Sequence, residues 1–175
     1  MKVRLRTVKQ DVKLAFAVVR ALVDHLTTEI TWILCRATRQ TAQLDRRVIV
    51  SLTSYPPRFR TLHLTLKTIL LQSVRPAAVV LWIAEEDSKH LPANVLALQS
   101  WGLEIHFCEN LRSYKKLVPA LSAYKGMAVV TADDDVVYWR TWLADLLEQY
   151  NESAPEILCH RMHVVKTNAD GLPDA

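Results

Sequence analysis

Two hydrophobic periodicities divide this chain of 175 residues. From Met1 to Tyr55 there is neither proline nor glycine to break a helix. Val12, Phe16, Val19, Leu22 or Val23, Leu26, Ile30 and Ile33 recur at steps of three and four. That spacing predicts a long N-terminal helix with one apolar stripe. Arg20, Asp24 and Glu29 interrupt the apolar run, so no stretch approaches the roughly 20 apolar residues that cross a bilayer. Arg20 also splits any signal-peptide core, and no small-residue cleavage site follows. The polar run Arg36–Arg47 reads as a connector, which sets a boundary between an N-terminal segment (1–46) and a body (47–175).

In the body, β-branched runs alternate with helical stripes. Val48–Tyr55 is a short apolar strand closed by Pro56-Pro57, and Thr61–Gln72 carries a stripe at Leu62, Leu66, Ile69 and Leu70. Val79–Ile83 predicts a second strand, 92–100 a short helix and Leu103–Phe107 a third strand. Tyr114–Tyr124 reads as helix, Met127–Thr131 as a fourth strand, Trp139–Tyr150 as helix, and Glu156–Cys159 as a fifth strand. This alternation predicts an α/β domain: a mostly parallel sheet with helices on both faces. In such sheets ligands bind beyond the carboxyl ends of the strands. Thr53-Ser54-Tyr55, Glu85-Glu86-Asp87, Glu109–Lys116 and the triplet Asp133-Asp134-Asp135 all fall at those ends. Trp82 and Trp142 read as core.

Composition narrows the chemistry. The three glycines, Gly102, Gly126 and Gly171, stand far apart. No Gly-rich phosphate loop, dinucleotide-binding turn or G-x-S-x-G elbow is therefore present. Cys35, Cys108 and Cys159 are isolated, which excludes a disulfide scaffold or Cys-rich zinc module and fits a reducing, cytoplasmic setting. The net charge of +4 is uneven: residues 1–47 hold ten Lys/Arg and four Asp/Glu, whereas residues 48–175 hold twelve and fourteen. A slightly acidic body argues against nucleic acid as a partner. The basic helix instead suits the inner face of an anionic membrane, a partner helix, or its own domain.

The segment VVTADDDVVY (129–138) carries the most chemistry. Three adjacent carboxylates repel one another, and burial beside a strand worsens the cost of ionising all three. In extended backbone, side chains two apart point the same way, so Asp133 and Asp135 are expected to face one cation while Asp134 faces elsewhere. Mg²⁺ commonly takes one or two carboxylates plus phosphate oxygens. The plainer alternative is an acidic turn capping the next helix. Arg112-Ser113-Tyr114-Lys115-Lys116 supplies cations suited to a diphosphate, or simply a solvated basic turn. His160 and His163 sit on opposite sides of an expected strand, which favours packing over metal ligation.

Together VSLTSYPPRF, TLKTILLQSVRPAAVVLWIAEED, RSYKKLVPAL and TADDDVVY resemble the donor-binding half of GT-A glycosyltransferases. The nearest likeness is to family-2-like bacterial enzymes of cell-surface polysaccharide synthesis, over about residues 47–165. The resemblance implies a Rossmann-like GT-A fold and metal-dependent sugar transfer from a nucleoside diphosphate donor to a glycan or lipid-linked acceptor. It implies Mn²⁺ or Mg²⁺ on Asp133 and Asp135. Thr53, Ser54, Tyr55, Arg58, Glu85, Lys115, Lys116, Asp133 and Asp134 would line the donor site. Only forty residues follow Asp135. The resemblance therefore implies a missing acceptor half and an unassigned base, with a truncated enzyme or an acceptor side from another chain. Two rival classes fit the same residues: a non-catalytic partner that recruits a transferase to a membrane, and a metal-dependent phosphohydrolase.

Overall fold

The computed structural model describes residues 2–35, 43–151, 153 and 157–160. Helix α1 runs from Lys2 to Cys35. Strand β1 (Gln43–Thr53) is followed by α2 (Phe59–Leu70), β2 (Val74–Ala84), α3 (Ala93–Leu96) and β3 (Leu103–Cys108). Then come α4 (Val118–Ala123), β4 (Ala128–Ala132) and α5 (Trp142–Leu147). Short 3₁₀ turns at Pro56–Arg58, Glu85–His90, Ala97–Trp101 and Arg112–Lys116 join several of these elements.

All strand pairings are parallel, in the order β3-β2-β1-β4. Alternation along β1 divides its side chains between two layers, as a pleated strand requires. Val48, Val50 and Leu52 join Leu62, Leu66 and Ile69 of α2, Leu81 and Ile83 of β2, and Leu143 of α5 in the larger core. Ile49 faces the other way and meets Val80, Trp82 and Ala120 of α4. Helices therefore cover both faces, as the alternating pattern predicted.

Three boundaries differ from the sequence reading. The first strand starts at Gln43, inside the expected connector, and its register with β2 slips between Asp45 and Ile49. There the Arg47 guanidinium folds back on Asp45 at 2.7 Å, so a charged run is accommodated at the start of a strand. The second strand begins at Val74 and includes Arg75-Pro76, which the sequence reads as a break. Lastly, Ile157–Cys159 carries no strand among the described residues, leaving four strands instead of five. Glu156, Arg161, His163, Asp170 and Asp174 lie outside the described residues.

α1 docks through its C-terminal third. Glu29 accepts from Lys67 Nζ of α2 at 2.7 Å, Lys67 lies 5.6 Å from the Trp32 ring centroid, and Trp32 meets Trp101 edge-on at 5.1 Å. Thr28 and Trp32 are buried by this contact. No helix among the described residues is long and apolar enough to cross a membrane.

A candidate anion-binding cleft at the strand ends

Strand order fixes where a site can form. The connections from β1 to β2 and from β2 to β3 put α2 and α3 on one face, whereas the connection from β3 to β4 puts α4 on the other. The chain leaves β1 for α2 and β4 for α5 on one face but leaves β3 for α4 on the other, so loops from both faces meet beyond the carboxyl ends of the strands. A cleft of about 390 Å³ lies there. Thr53, Ser54, Tyr55 and Arg58 line it from the end of β1, and Ala132, Asp133 and Asp134 from the end of β4. Asp87 and the segment with Asn110, Arg112, Ser113, Lys115 and Lys116 close it from the β2 and β3 ends.

Polar side chains on α2 hold the acidic triplet in place. Thr65 Oγ1 donates to the Asp134 carbonyl (3.1 Å), and Thr68 Oγ1 accepts from the Tyr138 N–H (3.2 Å). The buried Gln72 amide donates to the Trp139 carbonyl (2.9 Å) and accepts from the Leu143 N–H (3.0 Å). Thr65 and Thr68 share one side of α2 and Gln72 follows just past its end, so together they grip the segment that follows β4. Tyr138 completes the anchor, since its phenol oxygen accepts from the Asp133 N–H at 2.7 Å. Burial, together with the nearby carboxylates, pushes that phenol up to about 12, so it stays protonated at neutral pH.

Each carboxylate of the triplet has a different environment. β4 ends at Ala132 and the backbone turns at Asp134–Asp135, so the two-residue alternation expected of an extended chain does not run through the triplet. Asp134 points inward, with a side chain only 13% exposed. It accepts from Ser54 Oγ at 2.6 Å and lies 3.5 Å from the Arg58 guanidinium. Asp133, at 64% side-chain exposure, stands at the cleft wall and accepts from Lys116 Nζ at 2.6 Å. Asp135 pairs with Arg58 and is not among the lining residues. That pairing, helped by Tyr55 and Asp134, raises the guanidinium's hold on its proton still further.

The cationic side is built differently. Ser51 Oγ donates to the Lys116 carbonyl at 2.6 Å, and Thr53 Oγ1 to the Trp82 carbonyl at 2.7 Å. These bonds tie the 3₁₀ turn Arg112–Lys116 and β2 to the hydroxyl-bearing side of β1. Lys115 is 3% exposed, lines the cleft, and makes no hydrogen bond or ion pair with the described residues. Its aliphatic stem is buried while its ammonium keeps access to the cleft, where an anion can meet it. Arg112 sits beside it at φ 53°, a conformation uncommon outside glycine. Its N–H donates to Asn110 Oδ1 (3.2 Å), whose amide in turn donates to Glu86 (2.6 Å).

Among the residues singled out from sequence, Thr53, Ser54, Tyr55, Arg58, Lys115, Lys116, Asp133 and Asp134 come together here. Glu85 does not; it is exposed on the turn after β2, and Asp87, two residues on, faces the cleft instead. Because Glu85–His90 winds as a 3₁₀ turn, the residue nearest the strand end is not the one carried round to the cleft. Asn110 lies in the Glu109–Lys116 stretch expected at the strand ends, although the sequence assigns it no individual role. His160 packs against Trp139 and Trp142, and one ring nitrogen lies 2.9 Å from the Trp142 carbonyl.

No three His, Cys, Asp or Glu groups converge as a metal cage among the described residues. A cation that takes one or two carboxylates and completes its shell with phosphate and water still fits. Asp133 keeps one carboxylate oxygen without a protein partner at the cleft wall, as Asp135 does just outside it. Both oxygens of Asp134 are engaged by Ser54 and Arg58. Comparison with protein-family models, with curated proteins and with solved structures finds no match to this chain.

Proposed function

We propose that the cleft binds the diphosphate of a nucleoside diphosphate-sugar and that the chain takes part in transferring the sugar to a glycan or lipid-linked acceptor. The observation that carries this reading is Lys115, buried along its stem and with no ion-pair partner among the described residues for the ammonium it holds in a cleft beyond the ends of β1 and β4. Lys116 and Arg112 line the same cleft, so three cations serve one anionic ligand. Asp133 on the facing wall suits a divalent cation shared with that ligand, and Asp135, which lies outside the cleft, would have to leave Arg58 to join it. Mn²⁺ or Mg²⁺, when bound, would act as a Lewis acid on the phosphate oxygens.

In the transfer, the bond from the anomeric carbon to the diphosphate oxygen breaks and its electron pair leaves with the diphosphate. A bond from the acceptor hydroxyl oxygen to that carbon forms, and the hydroxyl proton is released. Lys115, Lys116 and Arg112 stabilise the charge that grows on the departing diphosphate. Ser54 and Arg58 keep Asp134 turned inward, which spaces it from Asp133 and limits repulsion between the two. The resemblance in sequence adds support, because the same segments that line the cleft carry it.

The test is calorimetric titration of UDP and of GDP, with and without Mn²⁺. Saturable binding that strengthens with Mn²⁺ is expected for one of the two nucleotides. Asp133→Asn combined with Asp135→Asn is expected to remove the metal dependence while leaving the folded protein intact. The reading is overturned by an absence of heat from well-folded protein with either nucleotide, or by unchanged metal-dependent affinity in the double variant.

A further inference from the structure

The N-terminal helix presents a second functional surface, independent of the cleft. Val12, Phe16, Val19, Val23, Leu26, Ile30 and Ile33 are all exposed, and Phe16 reaches 72%. At 100° per residue they fall on one side of α1, in a stripe about 100–120° wide and about 32 Å long. Thr28 and Trp32, which bury against the body, lie roughly 150–170° around the helix from it. The body therefore takes one face of α1 and leaves the apolar face turned outward. An apolar strip of this length on a helix that also packs on its own domain calls for an occupant.

Charge decides between the candidates. Lys13 and Arg20 border the stripe on one side, and the first turns of α1 add Lys2, Arg4, Arg6 and Lys9 to the sequence against Asp11. The helix's other two acids are engaged elsewhere, Asp24 with Arg20 at 3.9 Å and Glu29 with Lys67 of the body. The opposite border of the stripe carries Asp11, Ala15, Leu22 and Glu29, and Glu29 is held by Lys67, so a second copy of α1 laid along the stripe would offer Lys13 and Arg20 at most Asp11. Leu22, also exposed, widens the strip slightly, and Leu34 extends it along the helix. Anionic lipid satisfies both features at once, taking the apolar face into the headgroup boundary and the basic border onto its phosphates.

We infer that α1 is an interfacial anchor that lays the domain on an anionic lipid surface, apolar stripe inward and body outward. The inference stands whether or not the cleft binds nucleotide.

The test is flotation of the full chain with phosphatidylcholine vesicles and with vesicles of equal parts phosphatidylcholine and phosphatidylglycerol. Binding to the mixed vesicles is expected to be at least about tenfold stronger and to weaken with added salt. Phe16→Glu with Leu26→Glu places two charges in the stripe at exposed positions and is expected to abolish flotation without changing the melting curve. Lys13→Glu with Arg20→Glu is expected to weaken it about tenfold or more, and any loss of helix in one pair leaves the other to report. Three results would each overturn the inference. One is no flotation with mixed vesicles, and another is undiminished flotation of the stripe variant. The third is a dimer in sedimentation, dissolved by the stripe variant, in a wild-type chain that ignores vesicles; that would assign the stripe to a second copy.

Discussion

The two faces of the sheet are built to different standards. Beneath α2, Val48, Val50, Leu52, Leu62, Leu66, Ile69, Leu81 and Ile83 form a continuous layer of large aliphatic side chains with almost no exposure. Toward α4 the layer is thin: Ile49, Val80 and Trp82 meet a helix of six residues through Ala120. The hydroxyls of Ser51 and Thr53, the stem of Lys115 and a Trp82 indole N–H without a hydrogen-bond partner among the described residues occupy what would otherwise be core. The contrast teaches that the two faces divide the work: the α2 face supplies most of the large aliphatic burial, and the α4 face gives up core for polar side chains beside the cleft.

The division is broken most directly by truncating one side chain on each face. Leu66→Ala, in the middle of the α2 layer, is expected to cost about 3 kcal/mol in denaturant unfolding, through lost burial and the cavity left behind. Lys115→Met is expected to leave stability unchanged or raised, because an ammonium without an ion-pair partner among the described residues is exchanged for an apolar side chain of similar length that keeps the buried stem. The same change is expected to weaken nucleoside diphosphate binding about thirtyfold, equivalent to about 2 kcal/mol. A Lys115→Met variant that unfolds readily would show that the α4 face is structural after all.

A smaller effect tests the joint between the faces. Ser54→Ala removes the 2.6 Å bond to Asp134 and leaves a poorly exposed carboxylate with only Arg58 on its side-chain oxygens. The expected loss is about 1.5 kcal/mol of stability, measured by chemical denaturation.

The smallest effect concerns the contact between α1 and α2. Burial and the neighbouring Lys67 hold His63 below its ordinary pKa; Glu29 opposes this and His25 adds to it. A histidine depressed in the folded state contributes stability above its ordinary range, near pH 6.5, and that contribution is lost as the pH falls toward the folded value. Acidification from pH 7.5 to 5.5 is expected to lower the melting temperature by about 1–2 °C more in the wild type than in His63→Gln. Equal slopes would remove His63 from the account.

Much of the site was legible because its residues cluster at strand ends, where period-two runs stop and polar residues begin. Asp133 and Lys116, seventeen positions apart, are each recognisable by type, and the parallel arrangement predicted from alternating strands and helices brings them to one edge. The roles within the triplet were not legible. Which carboxylate turns inward depends on Ser54, eighty positions upstream, and on a turn that replaces the expected extended backbone. The row Thr65, Thr68 and Gln72 has a sequence signal, three polar residues at steps of three and four beside an apolar stripe. Its partners, however, lie about seventy positions away.

The sequence alone determined the element types, the parallel α/β class and the amphipathic first helix, because each follows from local periodicity of side chains along the backbone. Tertiary structure alone decided the strand order that places the cleft between β1 and β4. It also decided that Lys115 buries its stem beside the cleft with no ion-pair partner among the described residues, and which face of α1 the body covers. Those depend on where distant segments pack, and packing is settled by the whole set of apolar surfaces competing for burial rather than by any one stretch of chain.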